Sequence, residues 1–97
     1  MSPPVLTVSP APGQAAEGDH LTLTCSVQRG TPPITFTWFH TTSAKPLAFR
    51  TTNELTGSHV ITDLGQRHAG GYYCVSDNPS DNSQKGAVVT MGGEGSL

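Results

Sequence analysis

Polar and apolar residues alternate with period two over several short stretches of this chain. His20 to Val27 is the clearest: Leu21, Leu23, Cys25 and Val27 fall on one face, and Thr22, Thr24 and Ser26 on the other. Such alternation is the signature of a β-strand with one buried face. Ile34 to His40 repeats it, with Ile34, Phe36 and Trp38 inward and Thr35, Thr37 and Phe39 outward. Gly71 to Ser76 puts Tyr72 and Cys74 on one face and Tyr73 and Val75 on the other. His59 to Leu64 alternates as well, and its parity predicts Val60, Thr62 and Leu64 inward. Val5 to Val8 lies among prolines that cannot donate to a central ladder, so it predicts an edge strand. A weaker strand is expected over Leu47 to Thr51, and a last one over Gly86 to Met91, whose adjacent Val88 and Val89 leave its parity open. Arg29-Gly30-Thr31-Pro32-Pro33 and Asn78-Pro79-Ser80-Asp81-Asn82-Ser83 read as loops. About seven strands with frequent turns, no helical period and no internal repeat predict an all-β, two-sheet antiparallel sandwich.

Four residues narrow that class. Cys25 and Cys74 stand 49 positions apart on inward faces of expected central strands. Trp38, the sole tryptophan, is inward between them, and Tyr72 precedes the second cysteine by two. This Cys…Trp…Tyr-x-Cys order matches the immunoglobulin-like sandwich. There a disulfide ties the sheets, the indole packs on the sulfurs, and the tyrosine hydroxyl turns back to the backbone at a strand corner. The alternative is a pair of buried free thiols in an intracellular structural sandwich. Two cysteines without C-x-x-C do not make a zinc site, so an oxidising, extracellular compartment is the better inference. The short spacing leaves little room for the two extra strands of a variable-type domain, which predicts a constant-like or intermediate type.

Composition sets limits around this. At 97 residues the chain suits one domain, placed at residues 1–91, with 92–97 reading as a linker or tail. Eleven glycines and eight prolines fit many short strands better than long helices. Five basic residues, unclustered, and a net charge of −2 argue against nucleic acid as a partner. No apolar run reaches membrane-spanning length. Met1 leads straight into Ser-Pro-Pro without a signal peptide, so the chain is expected to be a piece of a longer secreted or surface protein.

His68-Ala69-Gly70-Gly71-Tyr72-Tyr73-Cys74 resembles the penultimate-strand motif of the immunoglobulin superfamily, with His68 where most members carry Asp. In that respect it is similar to Fc-receptor-like and platelet/endothelial adhesion-molecule-type leukocyte receptors. Pro4-Val5-Leu6-Thr7, Glu17-Gly18-Asp19-His20-Leu21-Thr22-Leu23-Thr24-Cys25 and Arg29-Gly30-Thr31-Pro32-Pro33-Ile34-Thr35-Phe36 resemble the same group. The resemblance implies one of several tandem ectodomains of an immune receptor at the cell membrane. It also implies that antibody-binding members grip an antibody proline between exposed tryptophans. Trp38 is assigned to the core here, which argues against direct antibody binding.

No reaction chemistry assembles. His20, His40, His59 and His68 form no H-x-H or H-E-x-x-H pattern, no G-x-S-x-G elbow is present, and no cofactor or metal is expected. In place of the usual Asp, His68 is expected to bond locally. Phe39, Tyr73 and Val75 share an outward face on two neighbouring strands, with Val89 joining if its parity allows; this is the expected binding patch. The competing expectation is that the Leu47–Phe49 segment covers Phe39. Loop residues Arg29, Pro32, Pro33, Asn78 and Asp81 form a second candidate, since loops on a rigid sandwich commonly bind. The expected function is therefore non-enzymatic: a ligand-binding or spacer module meeting a protein ligand or neighbouring immunoglobulin-like domains, or an adhesion module that self-associates as a homodimer.

Overall fold

The computed structural model describes residues 1–92. Eight strands form two antiparallel sheets: β1 (Val5–Ser9), β2 (Leu21–Ser26), β3 (Ile34–His40), β4 (Ala48–Thr52), β5 (Thr56–Ile61), β6 (Gly70–Asp77), β7 (Gln84–Lys85) and β8 (Val89–Met91). One sheet runs β1-β2-β5; the other runs β4-β3-β6-β7, with β8 also on β6. A single 3₁₀ turn, Gln66–His68, leads into β6. The expected linker falls almost wholly on residues outside those described.

The period-two pattern drives the packing. Leu21, Leu23 and Cys25 from one sheet meet Ile34, Phe36, Trp38, Tyr72 and Cys74 from the other, all 1% exposed or less. Apolar side chains from both inner faces thus fill the gap between the sheets, which is the main driving force for a sandwich. The Cys25–Cys74 disulfide crosses this core with its Cα atoms 6.5 Å apart, and no free cysteine remains. The free-thiol alternative falls with it. The fourth strand pairs with β3, not with β5. A constant-type domain would add it to the β2/β5 sheet, and a variable-type domain would insert two strands here. The arrangement lies between the two.

Two details of the last strands differ from the sequence expectation. β5 begins at Thr56, and its register sets Leu21 opposite Ile61, Leu23 opposite His59 and Cys25 opposite Gly57. Directly paired residues share a face, so Gly57, His59 and Ile61 point inward and Val60 is turned out, 50% exposed. The final strand is broken. Val75 pairs with Lys85, whereas Tyr72 pairs with Val89, a register one residue longer. One extra residue between Lys85 and Val89 makes a β-bulge, which reverses the parity of everything after it. Val88 is consequently exposed, and Val89 packs against the core.

Candidate protein-binding face

The corner below β6 shows how His68 replaces the usual acid. Its Nδ1 accepts the Gly65 N–H at 2.9 Å, while its carbonyl accepts the Tyr72 hydroxyl at 2.5 Å. The local hydrogen bond expected of His68 is thus present, and Tyr72 closes a tyrosine corner. Burial pushes the Tyr72 phenol up from its ordinary value. Burial also lowers the His68 pKa, helped by the nearby Arg67 and His40 and opposed by Asp63. His40 ends β3 in the core, 7% exposed. Its Nε2 lies 2.9 Å from the Ala69 carbonyl, which only accepts, so Nε2 carries the proton. Its Nδ1 then accepts from the Thr42 hydroxyl at 2.6 Å. His59 lies against the Trp38 ring at 5.9 Å, and His20 is exposed at the far end of β2. His40, His59 and His68 thus serve packing or local hydrogen bonds. Trp38 is fully enclosed, and its Nε1 has no partner, so the core uses the indole for its apolar body.

The outer side of the five-stranded sheet is different in kind. Phe39 and Tyr73 pair across β3 and β6 and stack at 5.0 Å with an interplanar angle of 12°. Val75 sits beside them, opposite Thr37, and Thr37 in turn pairs with Phe49 on β4. All of these positions share one face, because paired positions do. Phe39, Tyr73 and Val75 are half-buried against one another, whereas Phe49 is 74% exposed. Phe49 stands out from the sheet on the same face, one register step from Phe39, while Leu47, whose N–H donates to the Trp38 carbonyl, keeps the start of that segment against β3. Leu47 and Val88 flank this face, both partly exposed. Lys85 reaches back from β7 and holds its ammonium 4.4 Å from the centre of the Tyr73 ring. Val89, considered for this face, is on the inner side. Two members were not expected on this face: Phe49, which the sequence offered only as part of a cover because β4 is short and its parity weak, and Lys85, because the bulge hid the register of the last strand.

The two candidate loops meet at one end of the sandwich. Asn78 is buried; its Nδ2 donates to the Thr31 carbonyl at 3.0 Å, and its Oδ1 accepts the N–H groups of Ser80 and Asp81. It staples the loops together and has little surface of its own. Arg29, Pro32, Pro33 and Asp81 are exposed around it. Ser2 anchors the first segment to Arg29 through backbone and hydroxyl bonds, and the Met1 amino group pairs with Asp81 at 3.0 Å.

This inter-sheet disulfide, the tryptophan on its strand and the tyrosine corner define an immunoglobulin sandwich. The immunoglobulin domain model matches residues 3–78, and the chain belongs to that family. Among curated proteins it is 40% identical to human Fc receptor-like protein 4 over 74 residues, covering 76% of this chain and 14% of that protein. It is 39% identical to human Fc receptor-like protein 1 over 83 residues, covering 86% of this chain and 19% of that one. The chain thus spans less than a fifth of the length of these relatives. Human contactin-2 is 33% identical over 96 residues. Among solved structures, CHIR-AB1 superposes with a TM-score of 0.77 at 15% identity, covering 94% of this chain and 97% of that one. The human OSCAR ligand-binding domain gives 0.73 at 21% identity, covering 94% and 47%. At those identities the structural matches bear on the fold alone. The chain is an immunoglobulin module of the kind found in Fc receptor-like proteins, a family of domains that is generally non-enzymatic.

Proposed function

We propose that this module is extracellular, part of an immune cell-surface receptor, and binds a protein ligand through the outer face of the β4-β3-β6-β7 sheet. The observation that carries the reading is Phe49, a large apolar side chain 74% exposed on the same face as the Phe39–Tyr73 stack. Contiguous exposed apolar surface on a small domain marks a contact site, and aromatic side chains are enriched at the centres of such sites. The rigid sheet beneath holds the rings in place, which lowers the entropy cost of docking. The loop end supports binding less well, since Asn78 is occupied in holding it together.

The test is staining of leukocytes with tetramers of the chain. Phe49→Ser should abolish staining, while an Arg29→Ala, Asp81→Ala double variant should leave it intact. The opposite pattern would move the site to the loops. No staining of any leukocyte class would favour a spacer that only holds neighbouring domains apart. Self-association through the same face is the second reading, favoured by the same exposed Phe49. Sedimentation equilibrium decides it: a dimer that Phe49→Ser dissociates supports adhesion by self-association.

A further inference from the structure

The charge pattern of the same face narrows the chemistry of its ligand; this inference rests on the binding reading above. Across β4, β3, β6 and β7 one row reads Phe49, Thr37, Val75, Lys85, and the next centres on Phe39 and Tyr73. β6 lies between β3 and β7. Tyr73 is consequently sandwiched, with Phe39 stacked on one side and the Lys85 ammonium over the other. The only ion pair among the described residues joins the Met1 amino group to Asp81, so no carboxylate of the described chain neutralises Lys85. Asp77, the other charged residue on this face, is one register step from Lys85 along β6, on the side away from Tyr73, and makes no ion pair with it.

Two physical consequences follow. The ring quadrupole draws the ammonium to a defined place, so a normally mobile lysine is held at the border of the apolar patch. A ligand that covers the patch also strips water from that ammonium, and a buried charge left unpaired is costly. Purely apolar ligands are penalised by this, and basic ones are repelled. A ligand with a carboxylate beside its apolar group recovers both terms, since a charge-assisted hydrogen bond to carboxylate replaces the lost water. We propose that this face takes an extended protein segment in which a large apolar side chain is accompanied, two residues away, by Asp or Glu. The apolar group sits among Phe49, Phe39 and Tyr73, and the carboxylate meets Lys85. Side chains two residues apart on an extended segment are separated by about 7 Å. The Lys85 ammonium lies 4.4 Å from the Tyr73 ring centre and on the far side of it from Phe39 and Phe49, so the carboxylate falls on the β7 side of the apolar group.

The experiment pans a random-peptide phage library on the intact 97-residue chain. Enriched peptides should carry Asp or Glu two positions from Phe, Trp, Leu or Met. K85R should retain them, and K85E should weaken them on the order of tenfold or more, with loss of affinity at high salt for the parent chain. Both variants alter an exposed side chain, and unchanged near-ultraviolet dichroism checks the fold. Peptides without acidic bias, an absence of any enriched peptide, or peptides that K85E binds equally well would overturn the proposal. Phe49→Ser separates the two levels. If it abolishes binding while K85E does not, the face stands and the acidic ligand falls. If Phe49→Ser has no effect, the peptides bind elsewhere, and both fall.

Discussion

At the scale of single residues, the tyrosine corner and two histidines control local stability. The Tyr72 hydroxyl is the partner of the His68 carbonyl at the entrance to β6. Tyr72→Phe keeps the buried ring and removes only that bond, so it should destabilise the domain by about 1–2 kcal/mol in a urea titration. His68 and His59 contribute to acid sensitivity. Burial lowers both below the ordinary 6.5, with Arg67 and His40 adding to the effect at His68 and Arg50 at His59. The unfolded chain therefore takes up protons near pH 6.5 that the folded chain still refuses. Stability from these groups is complete above that pH and declines as pH falls from about 6.5 toward the depressed folded values. The urea midpoint should drop between about pH 7.5 and pH 5.5. A His59→Gln, His68→Asn double variant should flatten that slope, with Asn at 68 still able to accept from Gly65. A midpoint that rises on acidification would contradict the direction assigned to both groups.

At the scale of strands, the cross-link is the largest single contribution. Cys25 and Cys74 close a loop with a sequence separation of 49. In the chain-entropy account such a loop stabilises by about 4 kcal/mol, so a Cys25→Ala, Cys74→Ala variant should lose about that much in a denaturant titration. The elements carrying that disulfide were also the most legible in the sequence. β2 and β6, with β3 between β6 and β4, are central and half-buried; β2 and β3 alternate throughout and β6 does so from Tyr72 to Ser76, so their inner faces follow from parity. β5 was not legible in the same way. Its inner positions are Gly57, His59 and Ile61, and Gly57 is needed there because an added Cβ would lie 2.9 Å from the Phe36 ring. A strand whose inner face carries glycine and histidine, and whose outer face carries Val60, inverts the usual hydrophobic signal. The bulge before β8 was hidden for another reason: a register slip is a property of the pair of strands, and neither strand shows it alone. The candidate face inherits this split. Phe39, Tyr73 and Val75 lie on regular strands and could be placed by parity, whereas Phe49 and Lys85 lie on the two short outer strands and could not.

At the scale of the whole molecule, the two outer faces are unlike. The β1-β2-β5 side carries hydroxyl rows, with Thr24 and Ser58 bonded at 3.0 Å, and its exposed apolar residues, Val5 and Val60, stand apart, opposite Ser26 and Thr22 respectively. The β4-β3-β6-β7 side carries the stacked rings, Phe49 and one cation. Hydroxyl rows are well solvated and offer a partner little gain in burial, while a contiguous apolar patch gains with every neighbour it adds. Phe49 and Val60 therefore form a matched comparison, since both are exposed strand residues outside the core. Each change to Ser should shift folding stability by no more than about 0.5 kcal/mol, the range for exposed positions. Their surface behaviour should differ. Phe49→Ser should shorten retention on a hydrophobic-interaction column markedly, because it breaks up the patch, and Val60→Ser should leave retention nearly unchanged. Equal effects of the two substitutions would mean that the apolar surface is scattered over both sheets and not gathered on one.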